Sequence, residues 1–254
     1  MTVSIITTSL NNVSTISDTM DSVLNQTYPD IEYIVKDGGS TDGTVEIVKQ
    51  YESKFNGRMK WVSAPDTGIY DGMNRGIEMA TGDIVGILNA DDFFTDSHVV
   101  ENMVRAMEAK RVDAVYGDIH FVKGYDLNKT VRYYSSRLFR PFWLRFGFAP
   151  AHPSFYLRRD VYERAGLYKT DYQIAADFEM FVRLFLKCRI SYYYLPQDFV
   201  TMRTGGSSTR SFHNRMIGLR EEVRACRENG IITNRLFIAM KYLYKVSTLK
   251  HVFG

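Results

Sequence analysis

The chain has 254 residues, 45% of them hydrophobic and 14% aromatic, which suits a packed α/β domain and excludes a disordered chain. A net charge of +3 is too small to indicate nucleic-acid binding by itself, and the distant Cys188 and Cys226 argue for neither a disulfide framework nor a zinc site. The first residues carry no basic leader and no apolar run reaches about 18 residues, so we expect a cytoplasmic chain without a spanning helix.

Short apolar runs alternate with helical patterns in the first part of the chain. The runs are typical of buried strands and cover residues 3–7, 31–35, 59–62, 84–88 and 113–116. Between them, apolar residues recur at helical spacing, and Ser14 or Thr15 is available as the N-cap of the first predicted helix. This alternation predicts a mostly parallel sheet that is covered by helices on both faces.

Acidic residues follow three of the predicted strands: Asp37 after the second, Asp66 after the third, and Asp91 with Asp92 after the fourth. In sheets of this kind, ligands bind at the carboxyl ends of the strands. Adjacent carboxylates repel each other unless a cation compensates, and Mg²⁺ or Mn²⁺ bridging to a diphosphate would do so. Taken alone, the pair fits a helix N-terminus at least as well, because capping and the helix dipole favour aspartate there.

Two further segments carry candidate chemistry. The glycine-rich turn at residues 38–43 follows Asp37; it either lets a ligand approach the backbone or simply forms a tight turn. Its spacing matches neither GxGxxG nor GxxxxGK[ST], so neither a Rossmann dinucleotide site nor a P-loop is supported. Asp177 opens an amphipathic helical pattern, where it is either an N-cap or a general base. His152 and Asp177 could instead form a proton relay or a metal pair, and no spacing rule decides this.

The later part of the chain is less regular and more aromatic. Residues 139–148 (FRPFWLRFGF) are dense in aromatic residues and arginine, and helices are predicted over residues 177–186 and 215–228. Residues 235–250 interleave lysines with apolar and aromatic residues, which suits a helix lying on an anionic bilayer. The same pattern also suits a helix that packs on the domain or on a second subunit, as in a homodimer.

Several segments occur together in an order that belongs to a known family. They are residues 3–12, 22–44, 66–92, 151–168, 173–184 and the GGSS at 205–208. Together they resemble family 2 glycosyltransferases, an inverting group with the GT-A nucleotide-diphospho-sugar transferase fold. The resemblance implies an α/β fold in which helices flank a mostly parallel central sheet. It also implies a catalytic domain over residues 1–210, with a nucleotide-sugar-binding half at 1–117 and an acceptor-binding half at 118–210. A C-terminal helical extension would cover residues 211–254.

The resemblance also implies roles for residues at matching positions. Thr8 and Asp37 match positions that hold the nucleotide base, most often uracil. Asp91 and Asp92 match the acidic motif that binds the ribose and the diphosphate-bound Mn²⁺ or Mg²⁺. Asp71, Asn74 and Arg75, in the GIYDGMNRG stretch, match positions in a loop and helix start beside the donor. The catalytic base is matched by Asp177, and His152 matches a position that often faces the active site.

The sequence departs from the family pattern at three motifs. Where the family commonly has Asp-Asp-Gly-Ser, this chain has Asp37 followed by Gly38, Gly39 and Ser40. Asn89 stands where the acidic motif usually has its first aspartate, and Ala176 stands where a glutamate usually precedes the base. These departures leave the metal-binding acids and the base in place. They bear on the ribose and acceptor contacts, and therefore on the identity of the donor.

The implied function is inverting transfer of a sugar from a nucleoside-diphosphate donor to a hydroxyl of a glycan or lipid-linked acceptor in bacterial surface-polysaccharide synthesis. We expect a cytoplasmic protein that is peripheral on the inner face of the membrane and does not bind nucleic acid. A catalytically silent nucleotide-sugar-binding protein is one alternative, against which Asp177 and the acid pair speak. A nucleotidyltransferase is another; it would need a glycine-rich basic loop, and residues 7–12 contain neither glycine nor lysine.

Overall fold

The computed structural model describes residues 1–124, 126–204 and 212–249, so the GGSS segment at 205–208 and Lys250 lie outside the described residues. Its strands are β1 (Val3–Ser9), β2 (Ile31–Asp37), β3 (Met59–Ser63), β4 (Ile84–Ile87), β5 (Phe93–Phe94), β6 (Ala114–Lys123), β7 (Asp126–Tyr134), β8 (Phe155–Arg158) and β9 (Tyr192–Arg203). Its helices are α1 (Ile16–Leu24), α2 (Thr44–Glu52), α3 (Ile69–Met79), α4 (Val99–Lys110), α5 (Arg159–Ala165), α6 (Ala176–Val182), α7 (Phe212–Glu228) and α8 (Arg235–Leu249). The strands join in one sheet with the order β3-β2-β1-β4-β8-β6-β9-β5, and β7 pairs with β6.

The first half of the sheet agrees with the predicted alternation of strands and helices. Strands β3, β2, β1 and β4 are parallel neighbours, and β1 and β2 are buried along their whole length. Helices α1, α2 and α4 pack on one face, and α3 packs on the other. Because all four strands run the same way, their carboxyl ends meet at one edge. The first predicted N-cap is only half right, since Thr15 occupies the position but its hydroxyl donates to Ala90 O at 2.8 Å.

The second half of the sheet is mixed, so the parallel expectation holds there only in part. Strand β8 is antiparallel to β4 and β6, and β5 and β7 are also antiparallel to their partners, whereas β6 and β9 are parallel. Helices α5 to α8 and the 3₁₀ turn at Pro141–Phe146 cover the same face as α3. The sequence pattern did not resolve β5, β7, β8 and β9. Strand β5 has only two residues, β8 is buried on both faces, and β9 shows no alternation of buried and exposed residues.

A buried glutamate links the strands of the parallel half of the sheet. Glu32 on β2 accepts hydrogen bonds from Ser4 Oγ at 2.5 Å, Lys60 Nζ at 2.6 Å and both the amide and hydroxyl of Thr81. Burial by itself would raise the pKa of this carboxyl, but these donors outweigh burial and lower it to about 2. The charged group therefore stabilises the junction of β1, β2, β3 and the turn before β4.

The C-terminal helices pack on the face of the sheet that α3 also covers. Helix α7 packs on α6 through Val223 and Cys226, and α8 buries Ile238 against the 3₁₀ turn at Pro141–Phe146. Thr233 between them donates to Arg145 O at 2.5 Å. Of the two alternatives for this segment, packing on the domain describes the side of α8 that carries Ile238, while Leu236 and Met240 stay exposed. None of the helices in the described ranges is both long enough and apolar enough to cross a bilayer.

Candidate active site

The carboxyl ends of β1 and β2 bring the first candidate residues together. Thr8 near the end of β1 donates from Oγ1 to Asn89 Oδ1 at 3.1 Å, and the chain beyond β4 returns to it, since Ala90 N donates to Thr8 O at 3.2 Å. Ser9 and Asp37 are paired in the β1–β2 register. The sequence therefore placed Thr8, Asp37 and the acidic motif correctly at one edge of the sheet.

Asp37 is almost fully buried and is surrounded by donors. Its carboxylate accepts hydrogen bonds from Gly39 N at 3.0 Å, Ser40 N at 2.9 Å, Ser40 Oγ at 2.5 Å and Ser63 Oγ at 2.6 Å. Burial would raise the pKa of Asp37, but these donors overcome it and hold the pKa below its usual range. The turn that follows needs its glycines, because Gly39 and Gly43 have φ of +90° and +100°. Asp37 is thus a fixed anion at the base of the edge.

A charged chain continues from Asp37 toward α3. Lys36 is buried, and its ammonium donates to Asp37 O, Ala64 O and Asp66 Oδ2 at 2.7, 2.7 and 2.8 Å. Arg75 lies 3.3 Å from Asp71 Oδ1 and 3.6 Å from Asp66 Oδ1, and its side chain is half exposed. Asp71 also accepts from Thr67 N at 2.9 Å. The two predicted donor-side residues Asp71 and Arg75 therefore form one network with Asp66, which leaves guanidinium surface open to solvent.

The acidic pair follows β4 and faces β9. Asp92 is fully buried, and within the described part of the chain neither of its carboxylate oxygens accepts a hydrogen bond. Arg203 lies beside the pair: it donates to Asp91 O at 2.7 Å, pairs with Asp18 and stacks over Phe93 at 5.1 Å. Burial, and then the charge of Asp91, raise the pKa of Asp92 well above its usual value, and Arg203 offsets only part of this.

Asp91 is the more accessible member of the pair. Burial also raises its pKa, although less than that of Asp92. Both carboxylates have raised pKa values, and the oxygens of Asp92 accept no hydrogen bond from the described residues. A divalent cation would stabilise such a pair of charges, and carboxylate oxygens are the ligands that Mg²⁺ and Mn²⁺ prefer. Among the residues described, no group of three or more His, Cys, Asp or Glu side chains forms a metal cluster.

Helix α3 connects this edge to the second half of the chain. Tyr70 Oη donates to Ile174 O at 2.6 Å, and the ring stacks on Tyr168 with centroids 6.0 Å apart. Both ends of the Asn74 amide are used on the backbone of Tyr168, at 2.8 and 2.9 Å. These contacts make Asn74 a connector between the halves, so any contact with a donor would compete with this pairing.

Asp177 lies in the first turn of α6, two residues after the N-cap position at Ala175. Its Oδ1 accepts from Phe178 N at 2.8 Å, and burial raises its pKa above the usual value. The preceding backbone is held instead by Glu221 of α7, which accepts from the amides of Gln173, Ile174 and Ala175 at 2.7, 2.9 and 2.9 Å. Asp177 therefore caps only the amide of Phe178, and burial gives it the raised proton affinity that a general base needs.

His152 is placed near Asp177 but has a different partner. Its Nε2 lies 2.8 Å from Tyr168 Oη, and burial lowers its pKa to about 4, so the ring is neutral near pH 7. In the described structure no hydrogen bond joins His152 to Asp177. The suggested His152–Asp177 proton relay is therefore not formed here, and Tyr168 is the group that His152 positions.

Comparison with known proteins places this geometry in a family. A profile described as "Glycosyl transferase family 2" matches residues 4–166. An uncharacterized glycosyltransferase of Mycobacterium tuberculosis (strain ATCC 25618 / H37Rv) is 35% identical over 192 residues, which are 74% of this chain and 70% of that protein. This chain belongs to glycosyl transferase family 2. A PGL/p-HBAD biosynthesis glycosyltransferase of Mycobacterium bovis (strain BCG / Pasteur 1173P2) is 30% identical over 183 residues, covering 72% of this chain and 69% of its own.

Solved structures show that this glycosyltransferase has the GT-A fold. TarS 1-349 of S. aureus, in complex with UDP-GlcNAc, superposes with a TM-score of 0.70 at 15% identity, covering 94% of this chain and 71% of that chain. A longer TarS chain is covered over 39% of its length. The mannosyltransferase PcManGT from Pyrobaculum calidifontis, in complex with GDP-Man and Mn²⁺, has a TM-score of 0.66 at 20% identity, with 98% and 73% covered. The expected fold class is confirmed.

Three residues that shape the site of this family 2 member, Arg203, Lys36 and Glu221, were not predicted from the sequence. Arg203 is a buried arginine in a strand, and Lys36 is a lysine inside a buried apolar run; a charge in such a place signals a specific partner. Glu221 gave no signal, because it looks like any acid on a helix until α7 packs against the start of α6.

Proposed function

We propose that this protein is an inverting glycosyltransferase that moves a hexosyl or related sugar from a nucleoside diphosphate, UDP in the first instance, to an acceptor hydroxyl. One observation carries the proposal: a carboxylate with raised pKa, Asp177, is tied through α3 to the strand-end acids. This arrangement supports a site in which a proton acceptor and a diphosphate-binding edge act together, as direct displacement requires.

The strand ends would bind the donor. Thr8 and Asp37 would hold the base, and the half-exposed guanidinium of Arg75 offers a charge to the donor beside Asp71 and Asn74. Asp91 and Asp92 would bind the ribose and a Mn²⁺ or Mg²⁺ ion. When bound, such an ion stabilises negative charge on the diphosphate leaving group. Its presence in the PcManGT complex and the unpaired oxygens of Asp92 support this assignment.

Asp177 would carry the proton transfer. Its carboxylate takes the proton of the acceptor hydroxyl while that oxygen attacks the anomeric carbon of the sugar. The bond from this carbon to the diphosphate oxygen breaks in the same step, and the electron pair leaves with the nucleoside diphosphate. A single displacement inverts the anomeric configuration, so no covalent sugar intermediate is required.

The acceptor side is proposed from position and from relatives. Residues 1–117 would form the donor-binding half, residues 118–210 the acceptor-binding half, and residues 211–254 the extension. A glycan or lipid-linked acceptor in surface-polysaccharide synthesis fits the family resemblance, and the M. bovis relative is named for PGL/p-HBAD biosynthesis. The protein would then work in the cytoplasm, at the inner face of the cell membrane.

The variant Asp177→Asn tests the assignment of the base. We expect transfer to fall about 10²–10⁴-fold, because general base catalysis is lost, while the Kd of the donor changes less than twofold. Transfer to a panel of acceptors and calorimetric titration of UDP and GDP sugars with Mn²⁺ measure the two effects. The control is Asp160→Asn, an exposed acid on α5. Full transfer activity in the Asp177 variant contradicts the proposal.

The pH profile provides a second readout of the same residue. The base must be ionised to act, and burial raises its pKa, so kcat should fall as pH drops through a pKa above the usual aspartate value. This acidic limb should disappear from the residual rate of Asp177→Asn. Wild-type protein that binds donor but neither transfers nor hydrolyses it would favour the silent binding protein. Release of pyrophosphate from a nucleoside triphosphate would favour a nucleotidyltransferase.

A further inference from the structure

The loop between α7 and α8 closes a basic pocket on the outer side of the C-terminal extension. The pocket has a volume of about 660 Å³. Its charged side chains are four arginines and one glutamate: Arg220, Arg224, Arg227, Arg235 and Glu228. We call it the hairpin pocket. Asn234 and the first two residues of α8, Arg235 and Leu236, complete its wall, so the positive end of a 15-residue helix also borders it.

Among the residues that the structure describes, the positive charges of the hairpin pocket are only partly paired. Arg224 and Glu228 bond to each other at 2.6 Å, and both have further partners, Asp171 for Arg224 and Lys169 for Glu228. In contrast, the side chains of Arg220, Arg227 and Arg235 make no hydrogen bond or ion pair with any residue that the structure describes. Three unpaired guanidinium groups around one concavity are complementary to phosphate groups, which arginine binds through its fork of donors.

Exposed apolar side chains stand directly beside these arginines. Leu236, which lines the pocket, is 76% exposed, and Ile232 in the connecting loop is 85% exposed. Phe237 follows on α8 and contacts Phe146 with ring centroids 5.2 Å apart. That contact continues the apolar surface into the 3₁₀ turn, where Trp143 is also exposed. Large apolar side chains next to unpaired cations are the pattern of a surface that enters the boundary between lipid headgroups and acyl chains.

We infer that the hairpin pocket and the apolar side chains beside it dock this protein on an anionic lipid bilayer. The guanidinium groups of Arg220, Arg227 and Arg235 bind lipid phosphate groups, while Ile232 and Leu236 enter the apolar layer. The unpaired positive charge decides for an anionic bilayer over a second copy of the chain, which would bring the same three arginines into the contact.

Docking in this way would bear on the active site. Glu221, on the same helix as Arg220 and Arg224, holds the backbone before Asp177. A bilayer at the hairpin pocket would therefore lie within a few helical turns of the proposed base. The functional role of this docking rests on the proposed lipid-linked acceptor. Vesicle binding itself needs neither donor nor acceptor and can be measured when transfer fails.

Vesicle co-sedimentation of the full chain tests the inference. Wild-type protein should bind phosphatidylcholine vesicles that contain about one-third phosphatidylglycerol much more tightly than pure phosphatidylcholine vesicles, with binding weakened by salt. The triple variant Arg220→Gln, Arg227→Gln, Arg235→Gln should lose about a hundredfold in affinity for the anionic vesicles. The control triple Lys49→Gln, Lys54→Gln, Lys123→Gln removes the same charge from exposed positions elsewhere and should bind within about threefold of wild type.

Further variants and measurements distinguish a bilayer from inorganic phosphate and from a second copy of the chain. Ile232→Ser with Leu236→Ser should weaken binding about tenfold even when the arginines are intact, since two apolar side chains no longer enter the bilayer. Equal losses in both triple variants would overturn the inference, because net charge alone would then explain the binding. Protection of the melting temperature by inorganic phosphate without vesicle binding would overturn it in favour of a soluble phosphate site. Light scattering that shows a dimer, lost with Leu236→Ser, in protein that does not bind vesicles would overturn it in favour of a second copy.

Discussion

Burial favours the protonated form of both Asp37, at the carboxyl ends of β1 to β4 (the proposed donor edge), and Asp177 on α6, yet their pKa values shift in opposite directions. Asp37 is buried but accepts four hydrogen bonds, and its pKa is lowered. Asp177 accepts one from its neighbour Phe178, and its pKa is raised. Because burial acts in the same direction on both, the number of donors decides the outcome. One group is suited to remain a fixed anion and the other to exchange a proton.

The acidic pair at residues 91 and 92 belongs to the donor edge by position but resembles Asp177 in its electrostatics. Its carboxylates have raised pKa values, and the nearby Arg203 donates to Asp91 O and pairs with Asp18. Because no described residue donates a hydrogen bond to the carboxylate of Asp92, its oxygens can bind an external cation. The comparison therefore separates residues that build the edge from residues that act on ligands.

Removing a ligand-facing carboxylate should have the largest effect on transfer. Asp91→Asn is expected to lower kcat about a thousandfold in the presence of Mn²⁺, since charge on the leaving group is no longer offset, while thermal stability changes little. Initial rates over a Mn²⁺ titration measure it, with Asp96→Asn, an exposed acid beyond β5, as the control. Unchanged rates at saturating Mn²⁺ would show that the pair is not a metal site.

A matched pair of substitutions tests the difference within the donor edge. Asp37→Asn should cost about 2 kcal/mol of unfolding free energy, because an amide cannot accept all four bonds and its own donors meet other donors. Asp92→Asn should cost less than about 0.5 kcal/mol, because no hydrogen bond to a described residue is lost. Urea denaturation of both variants with EDTA present gives the comparison. Equal losses would mean that donor count does not separate these residues.

The smallest expected effect concerns the link between the two regions. Tyr70→Phe removes the hydroxyl that donates to Ile174 O and leaves that carbonyl unpaired beside the base helix. We expect kcat to fall about fivefold to tenfold, with the donor KM unchanged, because Asp177 is less well positioned. Tyr51→Phe on α2 is the control for loss of a phenol far from α6. A change confined to the donor KM would place Tyr70 in donor binding instead.

Much of the donor side could be predicted from the sequence. Apolar runs located β1 to β4, and Asp37 and Asp91 followed from their positions at strand ends. Local patterns suffice there, because the strands are buried, parallel and separated by helices of ordinary length. The second half was less accessible to such reasoning, since β9 carries three consecutive tyrosines at its start and pairs with β6 across a long stretch of chain.

The sequence by itself determined which residue types stand at the strand ends and the order of motifs that placed the chain in its family. Only the tertiary structure decided the direction in which the pKa of each carboxylate shifts. Ser63 reaches Asp37 from β3, and Glu221 takes over the capping of the segment before Asp177 from α7. No such donor reaches Asp92 from the described residues. A pKa depends on partners that folding brings from distant positions, and these partners leave no local pattern in the chain.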